Sequence, residues 1–194
     1  MIPEITEAQI RNYLPDWNLL RLLDSTFQGH VNNVDGGGWY YRWLSLAVKA
    51  TQPKQVLELG TYLGVSALMM YMELPAKSTL TTVDKQTYRE SFIPPEVHED
   101  PRFRSILGDC MDLSIYSDCP KQLDFLFIDT DPHTEEQIQQ EWNLYKPLLA
   151  NRCLVVLDDI GTMRNFWETL RYPKIDLTQL CHLSGFGAFQ YETR

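Results

Sequence analysis

The sequence has no run of lysine or arginine, and its acidic residues outnumber its basic ones. Its 194 residues include 17 Lys and Arg against 26 Asp and Glu, which gives a formal net charge of −9. The average field around such a surface repels polyanions such as DNA and RNA. We therefore expect no nucleic-acid partner.

Cysteines and long apolar runs are also scarce. Four cysteines occur, and none of them belongs to a CxxC pair: Cys110, Cys119, Cys153 and Cys181. A chain of this length buries a core without cross-links, so we expect reduced thiols. No stretch approaches the roughly 18 consecutive apolar residues of a transmembrane helix. Residues 1–25 also lack the basic start and apolar run of a signal peptide. These absences predict a cytoplasmic protein with no membrane partner.

The N-terminal quarter of the sequence carries helical patterns. Thr6 and Gln9 have the spacing of a capping box, and apolar residues predict a second helix at about 16–25. Glycine, asparagine and aspartate then crowd residues 29–38, which predicts a loop. Helical spacing resumes after this loop.

From residue 55 onward, short apolar segments alternate with helical ones. Seven strands are predicted, at 55–59, 80–83, 103–107, 123–128, 153–157, 177–183 and 186–191. A long helix opens at Thr134, and the last two strands hinge at Ser184–Gly185. This alternation predicts an α/β fold: a Rossmann-like seven-stranded sheet, mostly parallel, with an antiparallel C-terminal strand and helices on both faces. Ligands bind such sheets outside the carboxyl ends of the strands.

Two glycines, Gly60 and Gly64, lie directly after the first predicted strand and open a helix. Glycine tolerates backbone angles that a side chain forbids and lets a ligand approach the main chain closely. Asp84 lies 20 residues after Gly64, where a carboxylate in nucleotide-binding folds accepts hydrogen bonds from ribose hydroxyls. A tight turn without a ligand is the alternative for the glycines alone. Together with Asp84, the pattern favours a nucleoside.

The stretch Glu58 to Ser66, ELGTYLGVS, resembles the first motif of catechol and caffeoyl-CoA O-methyltransferases. These are class I S-adenosylmethionine-dependent methyltransferases, and the likeness extends over about residues 31–159. The resemblance implies S-adenosylmethionine as cofactor. The residues expected to bind it are Glu58, Gly60, Thr61, Tyr62, Gly64, Ser66, Asp84, Asp109, Cys110 and Asp129. By this likeness the glycine-loop residues surround the methionine portion, Asp84 holds the ribose, and Asp109 and Cys110 border the adenine.

A nicotinamide or flavin dinucleotide is the competing ligand. Such sites normally have a GxGxxG loop, whose middle glycine leaves room for the pyrophosphate. Here the spacing is GxxxG with the bulky Tyr62 between Gly60 and Gly64, which would crowd a pyrophosphate. S-adenosylmethionine contains no phosphate, so the pattern favours it.

Asp129 follows the fourth predicted strand, and Asp158 and Asp159 follow the fifth. Neighbouring parallel strands would bring these three carboxylates together, at an electrostatic cost that a hard cation relieves. The resemblance implies a metal here, since the catechol and caffeoyl-CoA families hold one with an aspartate of a Phe-x-Asp stretch and an Asp-Asn pair after the next strand. In this sequence Asp159 replaces the asparagine and still supplies oxygen, and cephalosporin-hydroxylase-like and sugar O-methyltransferases also use paired acidic residues there. We therefore predict Mg²⁺ or a similar divalent cation. The alternative is that Asp158 or Asp159 caps the helix near Met163.

A general base would assist transfer to a hydroxyl. The catechol family has a lysine three residues after its first metal aspartate, but Pro132 occupies that position here. His133 follows it, and because histidine is a common general base in enzymes, it is the candidate catalytic residue. A plain loop residue is the alternative. Trp39 and the two tyrosines after it are candidates for covering the cofactor or lining the substrate, or for core packing.

The sequence thus predicts an S-adenosylmethionine-dependent methyltransferase that acts on a hydroxyl of a small molecule or sugar with the help of a divalent cation. Residues 1–194 are expected to form one methyltransferase domain, with a helical extension at 1–50 and a cofactor-binding α/β core at 51–194. A metal-independent methyltransferase for another acceptor, such as nitrogen, and a non-catalytic cofactor-binding protein of the same fold remain alternatives. The sequence is compatible with a homo-oligomer and does not identify the acceptor.

Overall fold

The computed structural model describes residues 1–13, 29, 31, 38–86, 93–116 and 121–193. The predicted helix at about 16–25, Cys119 and most of the predicted loop at 29–38 lie outside these residues. Within that loop, Gly29 and Val31 have helical backbone and Gly38 begins a helix, so the prediction is wrong at these positions. Val31 and the residues directly after Gly38 are buried, and this apolar burial favours helix over an exposed loop.

The described residues include six α-helices: α1 Glu7–Asn12, α2 Gly38–Thr51, α3 Val65–Met72, α4 Pro95–His98, α5 Glu135–Tyr145 and α6 Arg164–Thr169. The predicted caps form. The Gln9 amide donates to Thr6 Oγ1 while the Thr6 amide donates to Gln9 Oε1, which satisfies donors that the first helical turn leaves unpaired. The Thr134 hydroxyl likewise caps α5 by accepting from the Gln137 amide.

Seven strands form one sheet: β1 Gln55–Leu59, β2 Thr79–Asp84, β3 Phe103–Leu107, β4 Leu123–Ile128, β5 Leu149–Asp158, β6 Lys174–Asp176 and β7 Phe186–Glu192. Their order is β3-β2-β1-β4-β5-β7-β6. The pairs from β3 to β5 are parallel, whereas β7 runs antiparallel to both of its neighbours. The predicted seven-stranded, mostly parallel Rossmann-like fold with an antiparallel C-terminal strand is confirmed.

Apolar side chains cover both faces of the sheet. On one face Trp43 of α2 packs edge-on against Phe186 at a ring-centroid distance of 5.5 Å. On the other face Trp142 of α5 packs edge-on against Phe189 at 5.3 Å. Helices therefore flank the sheet on both sides, and the inner strands β1, β4, β5 and β7 are mostly buried on both faces, as expected for such a sheet.

The predicted strand at 177–183 is wrong. In this part of the chain the strand that pairs with β7 is Lys174–Asp176, and it ends before Leu177. The Leu180 and Cys181 amides both donate to the Leu177 carbonyl, so the chain turns there. Leu177 and Cys181 are both buried, so this turn packs its apolar side chains against the core. No helix among the described residues is long and apolar enough to cross a membrane.

Candidate active site

Four strand ends meet in one row at the carboxyl edge of the sheet. Leu59 of β1 is in register with Val83 of β2 and with Ile128 of β4, and Ile128 is in register with Leu157 of β5. The residues that follow these four are Asp84, Gly60, Asp129 and Asp158. Backbone bonds continue the alignment, since the Gly60 amide donates to Val83 and the Asp129 amide donates to Leu59. The predicted site residues therefore converge on one edge.

The glycine loop lies directly against the Asp129 backbone. Gly60 has a φ of +92°, and a Cβ built on it would stand 1.8 Å from the Asp129 carbonyl oxygen. Any side chain at this position would therefore force the first and fourth strand ends apart. Gly64 has a φ of +81° and caps the N-terminus of α3. Between them Tyr62 is largely exposed, at 59% of its surface, so it can contact a ligand above the loop.

Asp84 holds the backbone of the glycine loop. Its Oδ2 accepts hydrogen bonds from the Thr61 amide at 3.0 Å and from the Tyr62 amide at 2.8 Å. Its Oδ1 accepts from the Gln86 amide. Each carboxylate oxygen has further acceptor capacity, so these bonds leave Asp84 able to accept from a ribose hydroxyl.

Glu58 is fully buried beneath the loop. Its Oε2 accepts a hydrogen bond from the Thr82 hydroxyl, whose oxygen lies 2.6 Å from that of Thr61. Because the single Thr82 proton points to Glu58, Thr61 must donate to Thr82. Burial raises the pKa of Glu58 to about 7, with bonds from Ser66 and Thr82 opposing the shift.

The end of β3 carries the predicted adenine-side residues. Asp109 is exposed, and its Oδ1 accepts from the Met111 amide. Cys110 is half-buried, with its Sγ 3.6 Å from Glu141 Oε1 and its carbonyl accepting from the Tyr145 hydroxyl. Burial, with the Glu141 charge second, raises the pKa of the Cys110 thiol to about 12. This thiol is therefore a neutral group at physiological pH.

The Asp129 and Asp158 carboxyls lie close to each other at the ends of β4 and β5. Desolvation raises the pKa of Asp129 well above its usual value, and the neighbouring charges of Asp158, Glu58 and Asp159 add to the rise. The pKa of Asp159 is also raised, by burial and then by Asp158. The structure thus brings Asp158 and Asp159 close to Asp129, and their charges disfavour the ionisation of Asp129.

His133 lies beside this group. Its Nδ1 is 3.3 Å from Asp159 Oδ2, and its carbonyl accepts from the Thr162 hydroxyl at 2.9 Å. His133 and Asp159 both have a φ of +52°, an uncommon backbone conformation outside glycine. The β4–α5 and β5–α6 loops are therefore joined at this contact.

The alternative role of the aspartate pair, capping α6, is wrong. The α6 helix has no side-chain cap at its N-cap residue. Glu135 of α5 performs the equivalent role, accepting 2.7 Å hydrogen bonds from the Asn165 and Phe166 amides. Asp158 and Asp159 are therefore not required for helix capping.

A second histidine, His182, faces the same carboxylates. Its Nδ1 is 3.3 Å from Asp158 Oδ1 and 3.8 Å from Asp159 Oδ1. One ligand atom from each of these three residues lies within 4.8 Å of the others, the geometry of a candidate cation site.

Several of these polar atoms are buried without a hydrogen bond among the described residues: Nδ1 of His133 and His182, and Oδ1 of Asp158 and Asp159. Across the described part of the chain, the ion pairs of the two aspartates are with histidine only. Buried polar atoms are normally paired. Oxygen and imidazole donors that converge without partners fit a divalent cation.

The aromatic residues at the start of α2 border this group. Tyr40 is buried, with its ring 5.5 Å from the imidazole of His182 and 5.4 Å from Phe186. Trp39 is buried and Arg11 lies over its ring at 4.6 Å, so Trp39 packs α1 against α2. Tyr40 therefore closes one wall of the site, and Trp39 belongs to the core.

Comparison with known families decides the class of this protein. A family model described as a methyltransferase domain matches residues 57–160, which span the sheet from β1 to the end of β5. The chain belongs to this methyltransferase family. The predictions of a class I S-adenosylmethionine-dependent methyltransferase and of an enzyme are confirmed.

Solved structures share the fold of this methyltransferase. A methyltransferase from Geobacter sulfurreducens has 16% sequence identity and a TM-score of 0.68, over 91% of this chain and 95% of its own. The O-methyltransferase from Bacillus cereus in complex with SAH has 16% identity and a TM-score of 0.64, over 90% and 94%. The O-methyltransferase TomG from Streptomyces achromogenes, in complex with SAM, has 16% identity and a TM-score of 0.66, over 92% and 96%.

Two residues of the methyltransferase site were missed from the sequence. Glu141 is 1% exposed and accepts from the Thr130 hydroxyl and the Gln137 amide group. It lies three residues after Ile138 in the buried stripe of α5, so helical spacing could have identified it. His182 lies in the segment wrongly predicted as a strand at 177–183, and the strand order is what brings it to the site.

Proposed function

We propose that this methyltransferase transfers a methyl group from S-adenosylmethionine to a hydroxyl of a small molecule, with a divalent cation at the end of β4 and β5. The methylation of oxygen, the cation and the roles of individual residues are parts of this proposal. The observation that supports it most is the group of carboxylates beside the glycine loop, of which Asp158 is buried and Asp129 and Asp159 are half-buried. Among the described residues, Asp158 and Asp159 form ion pairs only with histidines.

In this proposal the glycine loop and the strand ends bind the cofactor. Asp84 accepts hydrogen bonds from the ribose hydroxyls and keeps the hydrogen bonds that it accepts from the loop amides. Glu58, below the loop with Ser66, faces the methionine portion, and ionised Glu58 attracts its ammonium group. The remaining contacts are assigned to loop backbone and side chains and to the ends of β3 and β4: Gly60, Thr61, Tyr62, Gly64, Asp109, Cys110 and Asp129.

In the same proposal Asp129, Asp158 and Asp159 hold Mg²⁺ or a similar divalent cation. When bound, the cofactor supplies the methyl group and the cation lowers the pKa of the acceptor hydroxyl. The carboxylates would orient the acceptor, which matters because displacement at a methyl group depends mainly on positioning. His133 would take the hydroxyl proton at Nε2 while Asp159 orients its Nδ1.

The domain assignment belongs to the proposal as well: one methyltransferase domain over residues 1–194, with a helical extension at 1–50 on the core at 51–194. Two hydroxyls support it: Tyr13 donates to Glu73 Oε1 at 2.9 Å, and Ser45 donates to the Met69 carbonyl at 2.6 Å, so both bind the extension to the core. The cytoplasmic location stays a prediction.

Calorimetry and turnover assays together test this function. S-adenosylmethionine and its demethylated product should bind the purified chain. The variant Asp129→Ala should still bind the product measurably, but its methyl transfer to hydroxyl acceptors should fall more than about 100-fold. This is the size of the loss when one group that stabilises the transition state is removed. Glu99→Ala, an exposed position on the far side of the sheet, is the matched control. Absence of cofactor binding would refute the central proposal.

Chelation separates the cation-dependent mechanism from its rival. A metal-independent methyltransferase would retain its turnover after exhaustive EDTA treatment, whereas the proposed enzyme should lose it and recover when a divalent cation is added. Full transfer activity in Asp129→Ala would also support a metal-independent mechanism. Either result would reject the role proposed for the carboxylates.

A further inference from the structure

His182 approaches the carboxylates from a part of the chain that the proposed function does not use. It lies on the connection between β6 and β7, nine residues long from 177 to 185. Its Nδ1 reaches Asp158 Oδ1 at 3.3 Å and Asp159 Oδ1 at 3.8 Å. The imidazole therefore adds a nitrogen donor to a site otherwise made of oxygen.

Backbone contacts fix the position of this connection. The Gly161 amide donates to the Ser184 carbonyl at 3.0 Å, and the Gly185 amide donates to the His182 carbonyl at 3.0 Å. Gly185 has a φ of +123°, and a Cβ there would lie 2.3 Å from the Gly161 nitrogen. Because the two loops touch main chain to main chain, His182 is held beside the aspartates independently of its own side-chain contacts.

The imidazole is also oriented. The Tyr40 ring packs against it at 5.5 Å, and a quarter of the His182 side chain is exposed. Asp158 is 5% exposed, and neither its Oδ1 nor His182 Nδ1 has a hydrogen-bond partner of good geometry among the described residues. The two atoms lie 3.3 Å apart, a separation that fits two ligands of one ion as well as a direct ion pair.

We infer that His182 Nδ1 is a cation ligand together with Asp158 and Asp159, and that the site prefers Mn²⁺, Co²⁺ or Zn²⁺ to Mg²⁺. Imidazole suits first-row transition cations, whereas Mg²⁺ prefers oxygen ligands in a near-ideal octahedron. This inference rests on the proposed function, since it uses the same aspartates, and it names the cation class that the function would require. A simple ion pair between a protonated His182 and the aspartates is the competing explanation.

Titration calorimetry of the metal-free chain with Mg²⁺, Mn²⁺, Co²⁺ and Zn²⁺ tests the inference without an activity assay. The wild type should bind the transition cations more tightly than Mg²⁺, and bound Co²⁺ should show a visible spectrum of mixed nitrogen and oxygen ligation. His182→Ala should weaken Co²⁺ and Zn²⁺ binding more than about tenfold and leave Mg²⁺ within about twofold, because it removes the nitrogen donor alone.

His182→Asn supplies the second arm, because its side-chain oxygen can reach the position of Nδ1. It should keep Mg²⁺ binding at or above the wild-type level while Co²⁺ binding stays weak and its spectrum loses the nitrogen ligation. His98→Asn is the matched control, since His98 is exposed on α4 beside β3, and it should leave all four affinities unchanged. Binding of S-adenosylhomocysteine by each variant verifies the fold.

The outcomes separate this inference from the proposed function. Cation binding that is unchanged in His182→Ala, with an unchanged Co²⁺ spectrum, overturns the role of His182 and leaves the aspartate site standing. Tighter binding of divalent cations after His182 is removed would identify it as a competing positive charge, and also overturns the inference. A wild type that binds S-adenosylhomocysteine but no divalent cation overturns both the His182 ligand and the proposed cation.

Discussion

Replacing Glu58 with glutamine should stabilise the cofactor-free chain at alkaline pH, and the gain should vanish in acid. Glu58 is fully buried, and burial raises its pKa from the ordinary 4.5 to about 7. Between these two values the folded chain holds a proton that the unfolded chain has released. The free energy of unfolding must therefore fall as the pH rises from about 4.5 to about 7, and then level off.

The magnitude follows from the same pKa values. A carboxyl that titrates at about 7 when folded and at 4.5 when unfolded lowers the stability above pH 7 by about 3 kcal/mol relative to acid. Glutamine has nearly the same shape and no titration. Its side-chain oxygen can still accept from the Thr82 hydroxyl, which now donates to Glu58, so any packing cost should be independent of pH.

The assay is urea denaturation of wild type and Glu58→Gln at several pH values from about 4.5 to 8.5, with EDTA and without cofactor. The difference in unfolding free energy should change by about 3 kcal/mol in favour of the variant across this range. The aspartate group titrates in both proteins, and because burial and Asp158 raise the Asp129 pKa more than Glu58 does, most of that titration cancels in the difference. Glu99→Gln, at an exposed position, should give a difference that does not change with pH.

A difference that stays constant within about 0.5 kcal/mol, the usual size of a surface substitution, would refute this account of Glu58. The same variant should bind S-adenosylhomocysteine more than about tenfold more weakly at pH 8, because one charge-assisted hydrogen bond is lost. The gain in stability and the loss of affinity would together show that the buried Glu58 carboxylate lowers the stability of the fold and strengthens cofactor binding.

Two further substitutions test the glycine loop. Gly60→Ala should lower the unfolding free energy by more than about 3 kcal/mol and abolish cofactor binding, because its Cβ would overlap the Asp129 carbonyl; Gly29→Ala, where a Cβ meets no atom within 4 Å, is the control in thermal unfolding. Asp84→Ala should weaken S-adenosylhomocysteine binding more than about tenfold, because the loop amides lose their shared acceptor. Asp112→Ala, which removes a similar backbone cap outside the loop, should leave that affinity unchanged, and equal losses in the two aspartate variants would contradict the argument.

The sheet was largely predictable because each strand is a short apolar run bounded by polar residues. The predicted limits 55–59, 103–107 and 123–128 coincide with β1, β3 and β4, and the central residues of β1 and β4 are buried. The convergence of Asp84, Asp129 and Asp158 also follows from sequence, since parallel strands that end at the same level place their next residues in one row. The electrostatics could not be predicted in the same way, because they depend on side-chain depth: Glu58 and Asp84 both follow from strand patterns, yet only Glu58 is fully buried.

The position of His182 beside the aspartates follows from the order of the strands rather than from the local sequence pattern. Strand β7 pairs antiparallel with β5, so that its first residue, Phe186, lies opposite Asp158. The residues just before an antiparallel strand must therefore enter at the carboxyl edge of its parallel neighbours, which is the edge where the ligands bind. An antiparallel last strand at 186–191 was predictable, but the false strand at 177–183 placed His182 inside a sheet instead of in a loop at that edge. Once the turn at Leu177 is recognised, the same topology that brings β7 beside β5 brings His182 to the carboxylates.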